Sequence, residues 1–164
     1  MSLHADFIPV MVHQLQGFNQ ILDKAEQSCA NRKINPKIML EMRLAPDMFP
    51  LVKQVQIATD MVKAAGARLA GIETPSYADD EVDFAQLRER VTRVIGFLQG
   101  LSAEQFVGAE SREIAFSAGG RPMQFTGAAY VQYWVLPNFY FHKTTAYNLL
   151  RSNGVELGKR DFLG

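Results

Sequence analysis

A chain of 164 residues in which 17 Lys plus Arg face 17 Asp plus Glu carries no net charge, and that balance argues against a nucleic-acid partner, which needs clustered basic residues. No apolar run approaches the roughly 18 residues of a membrane span, and the start Met1-Ser-Leu-His-Ala-Asp6 lacks the basic and apolar regions of a signal peptide, so one cytoplasmic domain over 1–164 with no membrane partner is expected. The single Cys29 excludes an internal disulfide and, lying on an apolar helical seam, reads as an inert core thiol.

Ile8, Met11, Leu15, Phe18, Leu22, Ala25 and Cys29 step by three and four, which predicts a bundle helix over about 6–30. His13 lies off that seam, and both it and His4 read as surface residues. A connecting segment, Asn31–Pro36, leads to a short apolar piece at 38–42 with one or two helical turns. Asp47 is a good N-cap for a second helix over 47–70, with Pro50 in its first turn and Gly71 ending it. Its seam runs through Met48, Leu51 or Val52, Val55, Ala58, Val62, Ala65 and Leu69. The acidic loop Ile72–Val82 follows. Asp83, with Gln86 three residues on, caps a third helix over 83–99, whose cations Arg88, Arg90 and Arg93 read as a solvated face.

The rhythm then changes. Arg112–Ser117 and Arg121–Thr126 flank Ala118-Gly119-Gly120, the signature of a small β-hairpin with a glycine turn. The last helix, over about 127–152, ends at Gly154, and the tail to Gly164 reads as extended, packed by Phe162 and Leu163. The predicted architecture is all-α: a four-helix bundle with one hairpin inserted before the last helix.

The inward seam of that last helix is Val131, Val135, Asn138, His142, Thr145 and Leu149. Three consecutive places on it are polar, and Pro137 stands immediately before the first. Burying an amide and an imidazole without partners costs about 1–3 kcal/mol per group, so partners must exist. The aromatic residues Tyr130, Tyr133, Trp134, Phe139, Tyr140 and Phe141 circle the helix instead of forming one stripe. A single core cannot take them all, which predicts a homodimer.

With this helix order, the hairpin, and the strings Arg43-Leu-Ala-Pro-Asp-Met-Phe-Pro50, Leu136-Pro-Asn-Phe-Tyr-Phe-His142 and Gly158-Lys-Arg-Asp-Phe-Leu-Gly164, the chain resembles the DinB/YfiT-like bundle superfamily. It looks most like a bacterial branch of it described as a domain of unknown function. The resemblance implies a bundle, often dimeric, holding a divalent metal on three histidines. One comes from the second helix and two, four residues apart, from the last. In this chain the last-helix places fall on Asn138 and His142, and the helix-two place falls on Gln54, with Gln56 as the alternative register. Amides occupy two of the three places. Neutral oxygen donors bind zinc or nickel far more weakly than imidazole, so no cofactor, or at most a weak divalent metal on His142, Asn138 and Gln54, is expected. Some members of the superfamily look like thiol-dependent transferases or hydrolases, an activity that does not carry over onto this triad.

Several roles are open at these positions. His142 could serve as a ligand-binding group, a general acid or base, a metal ligand, or a hydrogen-bonded core histidine. Asn138 could line a pocket or satisfy carbonyls freed by Pro137. Two functions follow. One is a small-molecule-binding bundle with Gln54, Asn138 and His142 around a pocket, with a weak metal-dependent transferase or hydrolase as its catalytic variant. The other is a non-catalytic dimer whose polar seam is a closed network.

Overall fold

The computed structural model describes residues 2–164 of the chain. Helix α1, Leu3–Arg32, buries its predicted seam from Ile8 to Cys29. A one-turn helix α2, Pro36–Glu41, is started by Asn35, whose side chain accepts from the Lys37 amide. Helix α3, Leu51–Ala70, begins later than Asp47 predicts, with Pro50 in the cap position. Residues 43–50 are held in a turn instead, in part because Arg43 donates to the Met48 carbonyl at 2.5 Å. Leu51, not Val52, takes the buried register, and Gly71 closes the helix at φ 71°, in the left-handed region glycine favours. Helix α4, Phe84–Gln99, starts as predicted: Asp83 Oδ1 accepts from the Gln86 amide at 2.8 Å.

Strands β1, Glu113–Ala118, and β2, Arg121–Thr126, form the predicted antiparallel hairpin. Gly119 and Gly120 both have positive φ, as a two-residue hairpin turn requires to match strand twist. The inner face of the hairpin carries Phe116 and Phe125, which pack on Tyr130 and Trp134.

The last long helix is regular only in part. Helix α5, Gly127–Tyr130, runs into a π-helical turn, Val131–Val135, and then into α6, Leu136–Ser152. The Leu136 amide reaches back five residues to the Val131 carbonyl. Pro137 follows, with no N–H for the preceding turn, and the wider π turn accommodates that loss. At the helix start, a Cβ on Gly127 would overlap the Ala109 carbonyl oxygen. Gly127→Ala is therefore expected to cost about 1–3 kcal/mol by overpacking, measurable as a lower urea midpoint, whereas Gly96→Ala, with nothing within 4 Å of its added carbon, should not destabilise.

Helices α1 and α4 pack together, α3 packs against α6 and α4, and one continuous apolar cluster runs between them. The tail is not extended. After Gly154 it forms a short helix α7, Lys159–Leu163, laid on α1. Asp161 accepts from the Gly158 amide at 2.7 Å and pairs with Lys24 at 2.6 Å, which turns the segment back as a helix. Leu163 stays half exposed, and Phe162 alone packs, edge-on to Tyr147. No helix among the described residues is long and apolar enough to cross a membrane.

Candidate functional site around His142 and Gln54

Where α3 passes α6, Gln54 and His142 face each other, both almost fully buried. His142 Nδ1 lies 2.7 Å from Gln54 Oε1, and Gln54 Nε2 donates to the Phe49 carbonyl at 2.9 Å. This chain fixes its own direction. A backbone carbonyl only accepts, so the Gln54 NH2 must point at Phe49, and its oxygen must point at the imidazole. His142 Nδ1 is therefore the protonated nitrogen. Burial pushes the imidazole below its ordinary pKa of 6.5, so at neutral pH the ring is uncharged and Nε2 carries a lone pair. Nε2 has no hydrogen-bond partner among the described residues.

Asn138 stands one turn before His142 and is half-buried, but its Nδ2 donates to the Trp134 carbonyl at 2.7 Å. Its amide thus satisfies a carbonyl of the π turn beside Pro137, one of the two roles open from sequence. Gln56 points elsewhere: its Nε2 donates to Glu81 Oε2 at 2.8 Å. Of the two registers, Gln54 is the one that meets His142. Two residues joined to this pair carry exposed aromatic rings. Phe49, whose carbonyl ends the hydrogen-bond chain, is 55% exposed, and Phe141, the neighbour of His142, is 54% exposed.

The three-imidazole metal implied by resemblance does not fit these residues. Gln54 uses its carbonyl oxygen on His142 and its nitrogen on Phe49, and Asn138 is turned to the backbone. No cluster of three or more His, Cys, Asp or Glu able to hold a metal exists among the described residues. His4, read as a surface residue, is half-buried, with Nε2 2.9 Å from the Leu101 carbonyl and its ring edge-on to Phe106. His13 is exposed. Cys29 is buried, and desolvation raises its thiol pKa, the state of an unreactive core cysteine.

Three buried cations escaped the sequence reading, among them Lys63, 4% exposed and 2.7 Å from Asp60. Arg90 is 2% exposed, not part of a solvated face. Its signal was the 3/4 spacing of Leu87, Arg90 and Val94. Lys143 is wholly buried, and the seam Phe139, Lys143, Ala146, Leu150 shows a lysine where a hydrophobe would stand.

A helical bundle with one hairpin leading into its last long helix is a DinB-like protein. The family model described as Domain of unknown function (DUF1993) matches residues 3–163, and the chain belongs to that family. It is also similar to a solved structure described as a DinB family member protein from Shewanella denitrificans, with 39% identity and a TM-score of 0.89 over 99% of this chain and 92% of that one. No curated protein matches the chain.

Proposed function

We propose that the protein binds a small molecule at His142, and that the ligand has a flat apolar body and one hydrogen-bond donor. The observation that carries this reading is the oriented, uncharged imidazole. Gln54 holds the proton on Nδ1, so Nε2 can accept but not donate. Phe141, half exposed and with its ring 5.2 Å from the imidazole, offers an aromatic surface beside it, suited to a planar body. Metal plays at most a weak part in this reading, since the neighbouring amides are already engaged.

Phenol and anisole are suitable probes, because they differ only in the donor. Phenol should shift the His142 ring resonances in a saturable NMR titration, anisole should bind much more weakly, and His142→Ala should abolish the phenol response. That variant should lose about 1–3 kcal/mol of stability, the ordinary loss for a buried hydrogen-bonding group. Acidification must weaken binding, because protonation of Nε2 removes the acceptor. The imidazole pKa is depressed, so binding holds at neutral pH and falls only below the ordinary value. Equal titration of both probes, or none by either, defeats the reading. It favours instead the closed network of His142, Gln54 and the Phe49 carbonyl as a purely structural device.

The same reading includes a homodimer. Tyr133 is 72% exposed and Phe141 54%, whereas Tyr130 and Phe139 are fully buried and Trp134 and Tyr140 are partly covered. Two large rings in water on the last helix support an interface there. Light scattering at tens of micromolar should give twice the chain mass, reduced by Tyr133→Lys with Phe141→Lys. A monomer mass in the native protein would count against it.

A further inference from the structure

Away from His142, the N-terminal half of α1 and the start of the last helix diverge around a cleft of about 290 Å³. Its walls are Leu3, Phe7, Val10 and Met11 on one side and Val131 and Leu136 on the other. Asp6 and Gln132 are the two polar residues on its border. The helical hydrogen-bond ladder is interrupted on both walls at this level. Pro9 in α1 has no N–H to return to the Ala5 carbonyl. Val131 and Gln132 open the π turn, and single π turns inside α-helices are found mostly at functional sites.

The chemistry of the lining selects the occupant. Seven apolar side chains, Ala128 among them, leave one charged group, the Asp6 carboxylate, and no cation lines the cleft among the described residues. Asp6 is exposed and makes no side-chain hydrogen bond or ion pair among the described residues. A cavity of roughly 150 Å³ accepts benzene, so this one has room for a ring with a short chain. A two-fold contact between copies across the cleft would instead bring two unpaired carboxylates into one interface, with the desolvation cost that entails.

We propose that this cleft binds a small hydrophobic amine, its apolar body between α1 and the π turn and its ammonium on the Asp6 carboxylate. The Gln132 amide oxygen serves as a second acceptor at the mouth.

The test titrates the full chain with 2-phenylethylamine and with its neutral counterpart 2-phenylethanol, followed by amide chemical shifts. The amine should bind more tightly and move resonances of residues 3–11 and 128–136. Asp6→Asn should weaken the amine by at least about threefold, the scale of an exposed charge pair, and leave the alcohol unchanged. Ala128→Leu, which narrows the cleft, should weaken both. His142→Ala should leave the response of residues 3–11 and 128–136 to both probes unchanged, which separates this site from the one proposed above. Equal affinity of the two probes in the native chain, or an amine affinity insensitive to Asp6→Asn, would overturn the proposal. So would the absence of saturable binding, or a dimer that Val10→Lys dissociates, since a second copy would then fill the cleft.

Discussion

Arg90→Met should lower stability by about 3 kcal/mol, the size of effect seen when one partner of a buried ion pair is removed. Arg90 sits at the centre of a charged cluster between α3, α4 and the loop 72–82. Its Nε donates to Thr59 Oγ1 at 2.9 Å, and its Nη1 donates to the Ala78 carbonyl and to Glu81 Oε1, both at 2.8 Å. Its Nη2 lies 2.8 Å from Asp60 and 3.0 Å from Asp79, though not aligned as a hydrogen bond, so that contact is purely electrostatic. Methionine keeps the volume but leaves Glu81, only 9% exposed, without its main counter-charge. For a chain of this length the loss corresponds to a melting temperature lower by roughly 6–12 °C. The loop should loosen first. Its remaining tethers include the Gln56–Glu81 hydrogen bond at 2.8 Å, the Lys53–Asp79 pair at 2.5 Å, and Tyr77, whose ring centroid lies 4.1 Å from both the Lys63 and the Arg93 cation. Faster hydrogen exchange over 72–82 checks this, and a melting temperature within two degrees of native would refute it.

The acid limb of the same variant carries a sign. Burial works to raise the Asp79 carboxyl, but the hydrogen bond from Lys53 and the charges of Arg90 and Lys53 together hold it below its ordinary value of 3.8. A depressed carboxylate contributes stability above its unfolded pKa and loses it as pH falls through the folded one. Native protein should therefore show an acid-linked loss below about pH 4, and Arg90→Met should show less of it.

Lys143 should make the protein more stable in alkali. Its ammonium is wholly buried on α6, 2.7 Å from Gln14 Oε1 and 2.8 Å from the Phe162 carbonyl, with the Phe162 ring 4.6 Å away and no carboxylate in contact. Desolvation lowers its pKa from 10.5 to about 8. Between those values the unfolded chain binds a proton that the folded chain does not. Stability must rise with pH across that window, and is lost as pH falls back through it, by at most about 3–4 kcal/mol at roughly 1.4 kcal/mol per unit. A neutral amine still donates to both acceptors, so α7 stays docked. Urea titrations at pH 7.5 and 10 should show this rise in the native chain and not in Lys143→Met. A flat profile in the native protein would mean the ammonium is stabilised by something these contacts do not include.

The long seams were legible because each helix buries one face against a single apolar cluster, and a 3/4 spacing needs no partner to be recognised. Asp83 and the Gly119-Gly120 turn were legible for a local reason: cap and turn chemistry act within three or four residues. Asp47 failed for the complementary reason. A good cap residue is only an option, and the fold bound 43–50 to itself through Arg43 and started α3 at Leu51. The tail failed likewise, since the pairing of Asp161 with Lys24 on α1 has no trace in its own spacing.

At the candidate site, the sequence by itself determined that His142 and Asn138 share the inward face of the last helix, because four residues make one turn. It also fixed that only one imidazole stands where the resemblance implies three. Only the tertiary structure decided which glutamine meets His142, which nitrogen holds the proton, and that Asn138 turns back to the Trp134 carbonyl. Those outcomes depend on groups 88 residues apart meeting in a dry interface. There the Phe49 carbonyl, which can only accept, dictates the orientation of everything bonded after it.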